Sequence, residues 1–157
     1  MAKKSPLKKK RQAGPYVIAA LFCENILLDT DGTVSAIRVY DKAVVHIAED
    51  FKVGKDSAQP PQPIKFFFAV RPGESKGMHR LELFWKQPSG QRSSMLKHDL
   101  MLVGGENGSN LRNSLLPLLK SEGLYWVEAE IDGKILSRTP LRVEFAKPAS
   151  SAKSSDQ

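Results

Sequence analysis

Four side chains in this sequence belong to types that carry out proton transfer, metal binding or nucleophilic attack. They are the three histidines, His46, His79 and His98, and the single cysteine, Cys23. A histidine becomes a base or a ligand when a suitably oriented partner lies beside it. His98 is adjacent to Asp99, but neighbouring residues of a strand point to opposite faces of a sheet. The sequence therefore favours structural histidines, and a lone cysteine in an apolar segment is typical of a small buried hydrophobe.

Two loops contain residues found in ion or phosphate sites. Residues 29–32 read Asp-Thr-Asp-Gly and begin like a calcium loop, but neither a third oxygen ligand nor a glutamate follows at the required offset. Residues 104–109 read Gly-Gly-Glu-Asn-Gly-Ser and lack the lysine and the following helix of a phosphate-binding loop. We interpret the first as a hairpin turn and the second as a connection between strands.

No combination of these residues matches a catalytic motif. The sequence therefore predicts no catalytic residue, no metal site and no cofactor, and the chain is expected not to be an enzyme. An enzyme whose site assembles from distant residues ranks lowest among the functions considered, with Cys23, His79 and His98 as its best candidates.

Cationic side chains are concentrated at the start of the chain. Of 24 basic and 17 acidic residues, the first eleven positions hold six basic and no acidic ones: Lys3, Lys4, Lys8, Lys9, Lys10 and Arg11. The rest carries about +1 of the net +7, so the pI near 9.6 does not indicate a basic domain. The six cations are the predicted contacts to a polyanion. Because no aromatic residue is interleaved to stack on bases, such binding would be non-specific, and a solubilising tail is the alternative interpretation.

The histidines and the cysteine must be positioned by short segments of alternating polarity, which are separated by turns rich in Gly, Pro, Asp and Asn. Strands are predicted at residues 16–28, 33–40, 64–71, 78–87, 95–103, 124–131, 134–137 and 141–145. The near-helical spacing of Leu111, Leu115 and Leu118 predicts one short helix within residues 110–120. The pattern is typical of an all-β protein, an antiparallel immunoglobulin-like β-sandwich of about 7–8 strands with one short helix, and a barrel is the alternative.

Alternation also predicts which side chains face the core. Two strands each carry four apolar residues at every second position: Ile64, Phe66, Phe68 and Val70, and Tyr125, Val127, Ala129 and Ile131. Tyr125 begins a late strand, where a tyrosine corner or an ordinary core tyrosine would fit. Trp126, Phe67 and Phe84 are predicted to point outward, either as contacts for a partner or packed on the second sheet.

One domain is expected, because about 130 residues can bury a core without metal or disulfide staples. We predict a disordered basic arm at residues 1–14, a β-sandwich at residues 15–147 and a disordered tail at residues 148–157. No apolar segment approaches the roughly 18 residues of a membrane span, and a single cysteine forms no intrachain disulfide, so the cytoplasm is the expected location. Lysines followed by residues 16–23 imitate a lipoprotein signal, but Phe22 stands where processing needs a small residue.

Several segments resemble an uncharacterised bacterial family of small cytoplasmic β-sandwich proteins, a domain of unknown function. These segments are residues 15–24, 31–38, 77–83, 88–90, 123–126, 132–136 and 140–143. The resemblance implies the sandwich but no activity, and the basic arm and residues 52–63 borrow nothing from it.

The favoured function is a noncatalytic binding or assembly module, because the strand pattern is complete while the catalytic inventory is empty. Its unknown protein partner, or a second copy of the chain, would meet exposed strand edges. Non-specific nucleic-acid association through the basic arm is the alternative.

Overall fold

Alternating polarity together with β-branched and aromatic side chains favours strands along most of this chain. The computed structural model describes residues 13–48 and 62–147. In this part of the chain, the protein forms nine strands: β1 (Tyr16–Leu28), β2 (Val34–Tyr40), β3 (Lys42–His46), β4 (Ile64–Arg71), β5 (Gly73–Lys86), β6 (Arg92–Gly105), β7 (Ser109–Leu115), β8 (Gly123–Ile131) and β9 (Lys134–Ala146). The same residues contain no helix that is long and apolar enough to cross a membrane.

The nine strands form two sheets. One has four strands in the order β2-β1-β4-β7, and the other has five in the order β3-β9-β8-β5-β6. The pairing of β3 with β9 is parallel and the other pairings are antiparallel. The predicted antiparallel sandwich of about 7–8 strands is therefore confirmed in its two sheets and its mainly antiparallel pairing, whereas the parallel pair of β3 with β9 was not predicted. The extended chain leaves the four-stranded sheet at Asp41 and continues as β3 along the edge of the other sheet.

The core lies between the two sheets and contains both predicted sets of alternating residues. All four predicted residues of β4 and all four of β8 are buried, which confirms the predicted inward faces. Trp85 of β5 is 1% exposed and stacks on Tyr125 with 5.1 Å between ring centroids. Burial of such large side chains dominates the apolar contribution to stability.

Tyr125 forms a tyrosine corner. Its hydroxyl donates a 2.7 Å hydrogen bond to the carbonyl oxygen of Ser121, four residues upstream. The ring itself is fully buried. Of the two alternatives that the sequence left open, the structure selects the corner, a feature that recurs in immunoglobulin-like sandwiches.

The helix predicted within residues 110–120 is not formed. Residues 109–115 are strand β7, which pairs with β4 so that Leu111 lies opposite Phe68 and Leu115 opposite Ile64. A spacing of four residues satisfies the two-residue period of a strand as well as the helical period. Since β4 offers a free edge at this position, sheet pairing decides between the two, and residues 116–120 follow without regular structure.

Pro140 does not divide the last strand as predicted. Residues 134–137 and 141–145 belong to one strand, β9, in which Pro140 lies opposite Trp126 of β8. Proline cannot donate a backbone hydrogen bond and is tolerated where one side of a strand is unpaired. The pairing with β3 begins only at Arg142, so that side of β9 is open at Pro140.

Candidate interaction surface

The outer face of the four-stranded sheet carries adjacent exposed apolar side chains. Asn25 lies opposite Ile37 and Cys23 opposite Val39, so Ile37, Val39 and Leu27 share this face. The exposed fractions of Leu27, Ile37 and Val39 are 47%, 39% and 57%. Isolated exposed apolar residues are ordinary, whereas adjacent ones mark interaction surfaces. We call these three residues the apolar strip.

Two cations lie on the same face beside the apolar strip. Lys65 of β4 pairs with Ser114 of β7, and Arg112 stands two positions before Ser114, so the two cations are diagonal neighbours across the strands. β4 and β7 contain Lys65, Arg71 and Arg112 but neither aspartate nor glutamate. Among the described residues, Lys65 and Arg112 form no ion pair with a carboxylate. Within the described part of the chain, their charge is therefore not neutralised by a carboxylate.

A groove opens where β1 extends past the beginning of β4. β1 pairs with β4 only as far as Cys23, whereas its pairing with β2 continues to Leu28. Asn25 Oδ1 accepts one hydrogen bond from the backbone N–H of Ile26 and another from the Lys65 ammonium, each at 3.0 Å. The resulting cavity of about 250 Å³, the step groove, is lined by Asn25, Ile26, Lys65, Arg112, Asn113 and Ser114.

The charges at the centre of the opposite face, on the five-stranded sheet, neutralise one another. Glu128 is 3% exposed and accepts hydrogen bonds from Arg92 Nε at 2.8 Å and Arg138 Nε at 3.0 Å. Arg92 also pairs with Glu130, and its guanidinium covers the Phe84 ring at 3.4 Å from the centroid. Burial alone would raise the pKa of Glu128, but hydrogen bonds from Arg138 and Arg92, together with the charges of Arg92 and Lys86, outweigh burial and lower it. This arginine–glutamate cluster stabilises the sheet and leaves little free charge.

A second exposed apolar group lies toward one end of the five-stranded sheet. Met78 of β5 lies directly opposite Met101 of β6, and both are 60% exposed, with Val103 nearby at 62%. The neighbouring charges are paired, because Arg80 Nε lies 3.1 Å from Asp99 Oδ1. Lys76 lies opposite Val103 and forms no ion pair with a described carboxylate, so one unpaired cation accompanies this group, whereas two accompany the apolar strip.

His79 is engaged at both ring nitrogens. Nδ1 lies 2.6 Å from Asp132 Oδ2, and Nε2 lies 3.1 Å from the carbonyl oxygen of Lys76. Both partners are acceptors, so the imidazolium, which donates from both nitrogens, satisfies them together. Asp132 Oδ1 also accepts from the backbone N–H of Arg80 at 2.9 Å. The pair thus ties the turn between β8 and β9 to β5 rather than presenting a free base.

This pair is expected to make stability depend on pH. The hydrogen bond with Asp132 is the main cause that raises the pKa of His79 above its ordinary 6.5, against a smaller opposing effect of burial. A group with a raised pKa in the folded state stabilises fully below its unfolded pKa and loses that contribution as pH rises through the folded value. We expect urea unfolding to give about 0.5 kcal/mol less stability at pH 8.5 than at pH 5.5 from this partly exposed pair.

His79→Gln should remove most of that pH dependence. His98→Gln, a change at an exposed histidine, should leave it in place. Equal pH dependence in the wild type and in His79→Gln would contradict the assignment to the His79–Asp132 pair.

The other residues with chemical potential have structural surroundings. Cys23 is 1% exposed, and burial raises the pKa of its thiol, against a smaller opposing effect of Lys65. Asp31 Oδ1 accepts from the backbone N–H of Thr33 at 2.8 Å, which confirms the interpretation of residues 29–32 as a turn. The connection predicted at residues 104–109 does join two strands, but it is shorter, residues 106–108, because its ends belong to β6 and β7. The described residues contain no group of three or more His, Cys, Asp or Glu that could hold a metal ion.

The predicted polyanion contacts lie outside the described residues. These are Lys3, Lys4, Lys8, Lys9, Lys10 and Arg11, and the predicted tail at residues 148–157 lies outside them as well. Both remain predictions from the sequence.

Comparison with known proteins identifies no family. No protein-family model matches the sequence, and no curated protein is similar to it. Among solved structures, an immunoglobulin-like protein from Pseudomonas aeruginosa is similar, with 14% sequence identity and a TM-score of 0.44 over 85% of this chain and 98% of that one. The resemblance to a bacterial family therefore stays a prediction, and the sandwich described above follows from the strand pairing of this chain.

Sequence reasoning missed the residues that distinguish the two outer faces. Glu128 alternates with the inward residues of β8 and lies on the outer face, but Arg92 and Arg138 bury it there. The sequence did not indicate that Lys65 and Arg112 are neighbours, because they are 47 positions apart. The available signal was the absence of acidic residues from the two strands that carry them.

Proposed function

We propose that this chain is a noncatalytic, immunoglobulin-like sandwich that binds a protein partner through the outer face of its four-stranded sheet. The observation that carries the proposal is the apolar strip lying beside two cations that have no carboxylate partner among the described residues. Apolar burial supplies affinity at such a surface, while unpaired charges supply orientation and selectivity. The charges at the centre of the other face are satisfied internally and offer a partner less.

The immunoglobulin-like type is supported by three features of the chain itself. Tyr125 forms a tyrosine corner near the start of β8, Trp85 packs on it between the sheets, and the short edge strand β3 runs parallel to β9. The first two resemble hallmarks of immunoglobulin-like sandwiches. Such folds host many unrelated functions, so the role must be argued from the surface.

The noncatalytic role is supported by the surroundings of the reactive side chains. Both nitrogens of His79 are occupied, and the Cys23 thiol is buried with a raised pKa, which disfavours the thiolate nucleophile. A single buried cysteine also suits the reducing cytoplasm that the sequence predicts.

Threonine at both Ile37 and Val39 is expected to weaken partner binding without unfolding the protein. Threonine keeps the β-branched shape but replaces apolar surface by a hydroxyl, which should cost about 2 kcal/mol of binding free energy, or roughly thirtyfold in affinity. The measurement is capture from a nuclease-treated lysate by the full chain, followed by titration of the recovered partner. Met101→Thr/Val103→Thr is the control, because it removes apolar groups that are at least as exposed from the other sheet.

A partner retained by the control and lost by the apolar-strip variant would support the proposal. Retention by both variants, or loss only in the Met101→Thr/Val103→Thr control, would contradict it. A chain that captures nothing and sediments as a monomer at high concentration would contradict it as well.

The basic arm supports a second candidate, non-specific nucleic-acid association. Six cations without an intervening acidic residue could release counterions from about six phosphates, which weakens binding roughly thousandfold between 50 and 200 mM salt. A chain that starts at Pro15 should then lose affinity for a single-stranded oligonucleotide. Unchanged binding after this deletion would rule out the arm as the contact.

A further inference from the structure

We propose that the step groove binds a carboxylate, carried by an acidic segment of the partner that also presents apolar side chains to the apolar strip. This inference rests on the proposed function and names the chemistry of the partner. Its basis is the convergence of hydrogen-bond donors on a concave site at the end of that same sheet face.

The position of Asn25 Oδ1 shows where an acceptor oxygen fits. The backbone N–H of Ile26 and the Lys65 ammonium reach this single oxygen from two sides, each at 3.0 Å. Lys65 uses one of its three donors in this contact, and the Arg112 guanidinium, which lines the same groove, forms no hydrogen bond with the described residues. A carboxylate has two oxygens, so one can accept a hydrogen bond from the Lys65 ammonium while the other accepts from the Arg112 guanidinium.

The sign of the surrounding charge favours an anion. Lys65 and Arg112 stand on strands without acidic residues, whereas Glu24, the acidic residue on the neighbouring strand β1, lies 3.4 Å from Arg38. The groove therefore attracts a carboxylate without a competing anion from β4 or β7. Arginine binds such a group through two parallel hydrogen bonds, which also fixes its orientation.

The residues beside the groove favour a peptide over a nucleic acid. Single-stranded nucleic acids stack their bases on exposed aromatic rings. The apolar strip is aliphatic, and Phe67, the aromatic residue opposite Arg112, is only partly exposed. Leu27, Ile37 and Val39 instead suit the aliphatic side chains of an extended acidic peptide, since alternate residues of such a peptide can point to the strip and to the groove.

The test uses the full chain and two fluorescein-labelled nine-residue peptides, one alternating valine with glutamate and the other alternating valine with glutamine. Anisotropy titration should show roughly tenfold weaker binding for the glutamine peptide, because its neutral amides cannot form charge-assisted hydrogen bonds. Lys65→Gln/Arg112→Gln should weaken binding of the glutamate peptide by a similar or larger factor. Lys134→Gln, which removes an exposed cation at the turn between β8 and β9, should leave binding unchanged.

Three outcomes would overturn the inference. Equal affinity for the two peptides would show that the carboxylate is not recognised, and unchanged affinity of Lys65→Gln/Arg112→Gln would remove the groove as its site. A ten-nucleotide oligothymidylate that binds more tightly than the glutamate peptide and loses affinity in the same variant would assign the groove to a polyanion.

The result can be separated from the fate of the proposed function. If Ile37→Thr/Val39→Thr loses the captured partner but Lys65→Gln/Arg112→Gln retains both that partner and the peptide, the surface stands and the carboxylate assignment fails. If only Lys65→Gln/Arg112→Gln loses the glutamate peptide and Ile37→Thr/Val39→Thr keeps its captured partner, the result supports the carboxylate site. The same result contradicts the proposed protein-binding face.

Discussion

Methionine in place of both Arg92 and Arg138 is expected to lower the free energy of unfolding by about 3–5 kcal/mol, the range for leaving a buried charge unpaired. Glu128, which is 3% exposed beneath the two arginines, would lose the donors that now lie 2.8 Å and 3.0 Å from its carboxylate. Methionine keeps aliphatic volume over Phe84, so the loss of unfolding free energy comes mainly from leaving the Glu128 carboxylate unpaired. Urea unfolding at neutral pH measures it.

Adding Glu128→Met to this double variant should restore most of the lost stability. The buried charge then disappears, and replacing a whole buried ionic group by apolar side chains of similar size is often neutral. A triple variant no more stable than the double variant would contradict this account of the arginine–glutamate cluster.

The double variant should also respond to pH in the opposite sense to the wild type. In the wild type, the pKa of Glu128 is lowered, so its stabilising contribution is present above the ordinary value of 4.5 and is lost as pH falls through the folded value. Without the arginines, burial should raise the pKa of Glu128. Acidification toward pH 4 should then relieve part of the destabilisation instead of adding to it.

Trp85→Ala is the second substitution with a large expected effect, a loss of about 3–5 kcal/mol. Trp85 is 1% exposed and stacks on Tyr125, so its removal leaves a cavity beside the tyrosine corner. Trp126→Ala makes the same chemical change at a half-buried position on the outer face and should cost much less. Thermal and urea unfolding of the two variants measure the difference.

Trp85→Phe refines this comparison. The indole Nε1 of Trp85 is buried and has no hydrogen-bond partner in the described part of the chain, so phenylalanine removes an unsatisfied donor while filling most of the space. We expect Trp85→Phe to retain more stability than Trp85→Ala. Similar losses for Trp85→Ala and Trp126→Ala would show that the core between the sheets does not dominate stability.

Substitution of the outward-pointing Trp126 also tests which outer face binds the partner. Trp126 was predicted from the sequence as a candidate contact, but it lies on the five-stranded sheet together with the arginine–glutamate cluster. If the proposed face is correct, Trp126→Ala should keep the captured partner. Its loss in Trp126→Ala would move the interaction to the opposite face.

Local pattern predicted the parts of the fold that depend on neighbouring residues. Every second residue from Ile64 to Val70 and from Tyr125 to Ile131 is apolar, and these side chains are buried. The Asp-Gly turns form at residues 31–32 and 132–133, where both glycines and Asp132 have positive φ. The prediction of a short helix was wrong because the spacing of Leu111 and Leu115 fits both the helical and the strand period. Only pairing with the free edge of β4 selected the strand.

The candidate site depended on contacts that a one-dimensional pattern does not contain. Ile37 and Val39 resemble core residues in the sequence, because apolar side chains on a strand are usually covered. They are exposed because the five-stranded sheet covers the other face of β1 and β2. Glu128 points outward and is nevertheless buried, because two arginines from other strands converge on it.

By itself, the sequence determined the all-β class, the inward faces of the core strands and the separation of a basic arm from a nearly neutral body. These follow from composition and from the two-residue period of a strand, which are local properties. Only the tertiary structure decided that β3 runs parallel to β9, that Lys65 and Arg112 meet beside an apolar strip, and that Glu128 is enclosed by arginines. Each of these depends on which distant strands become neighbours, and that choice is made by the packing of the whole sandwich.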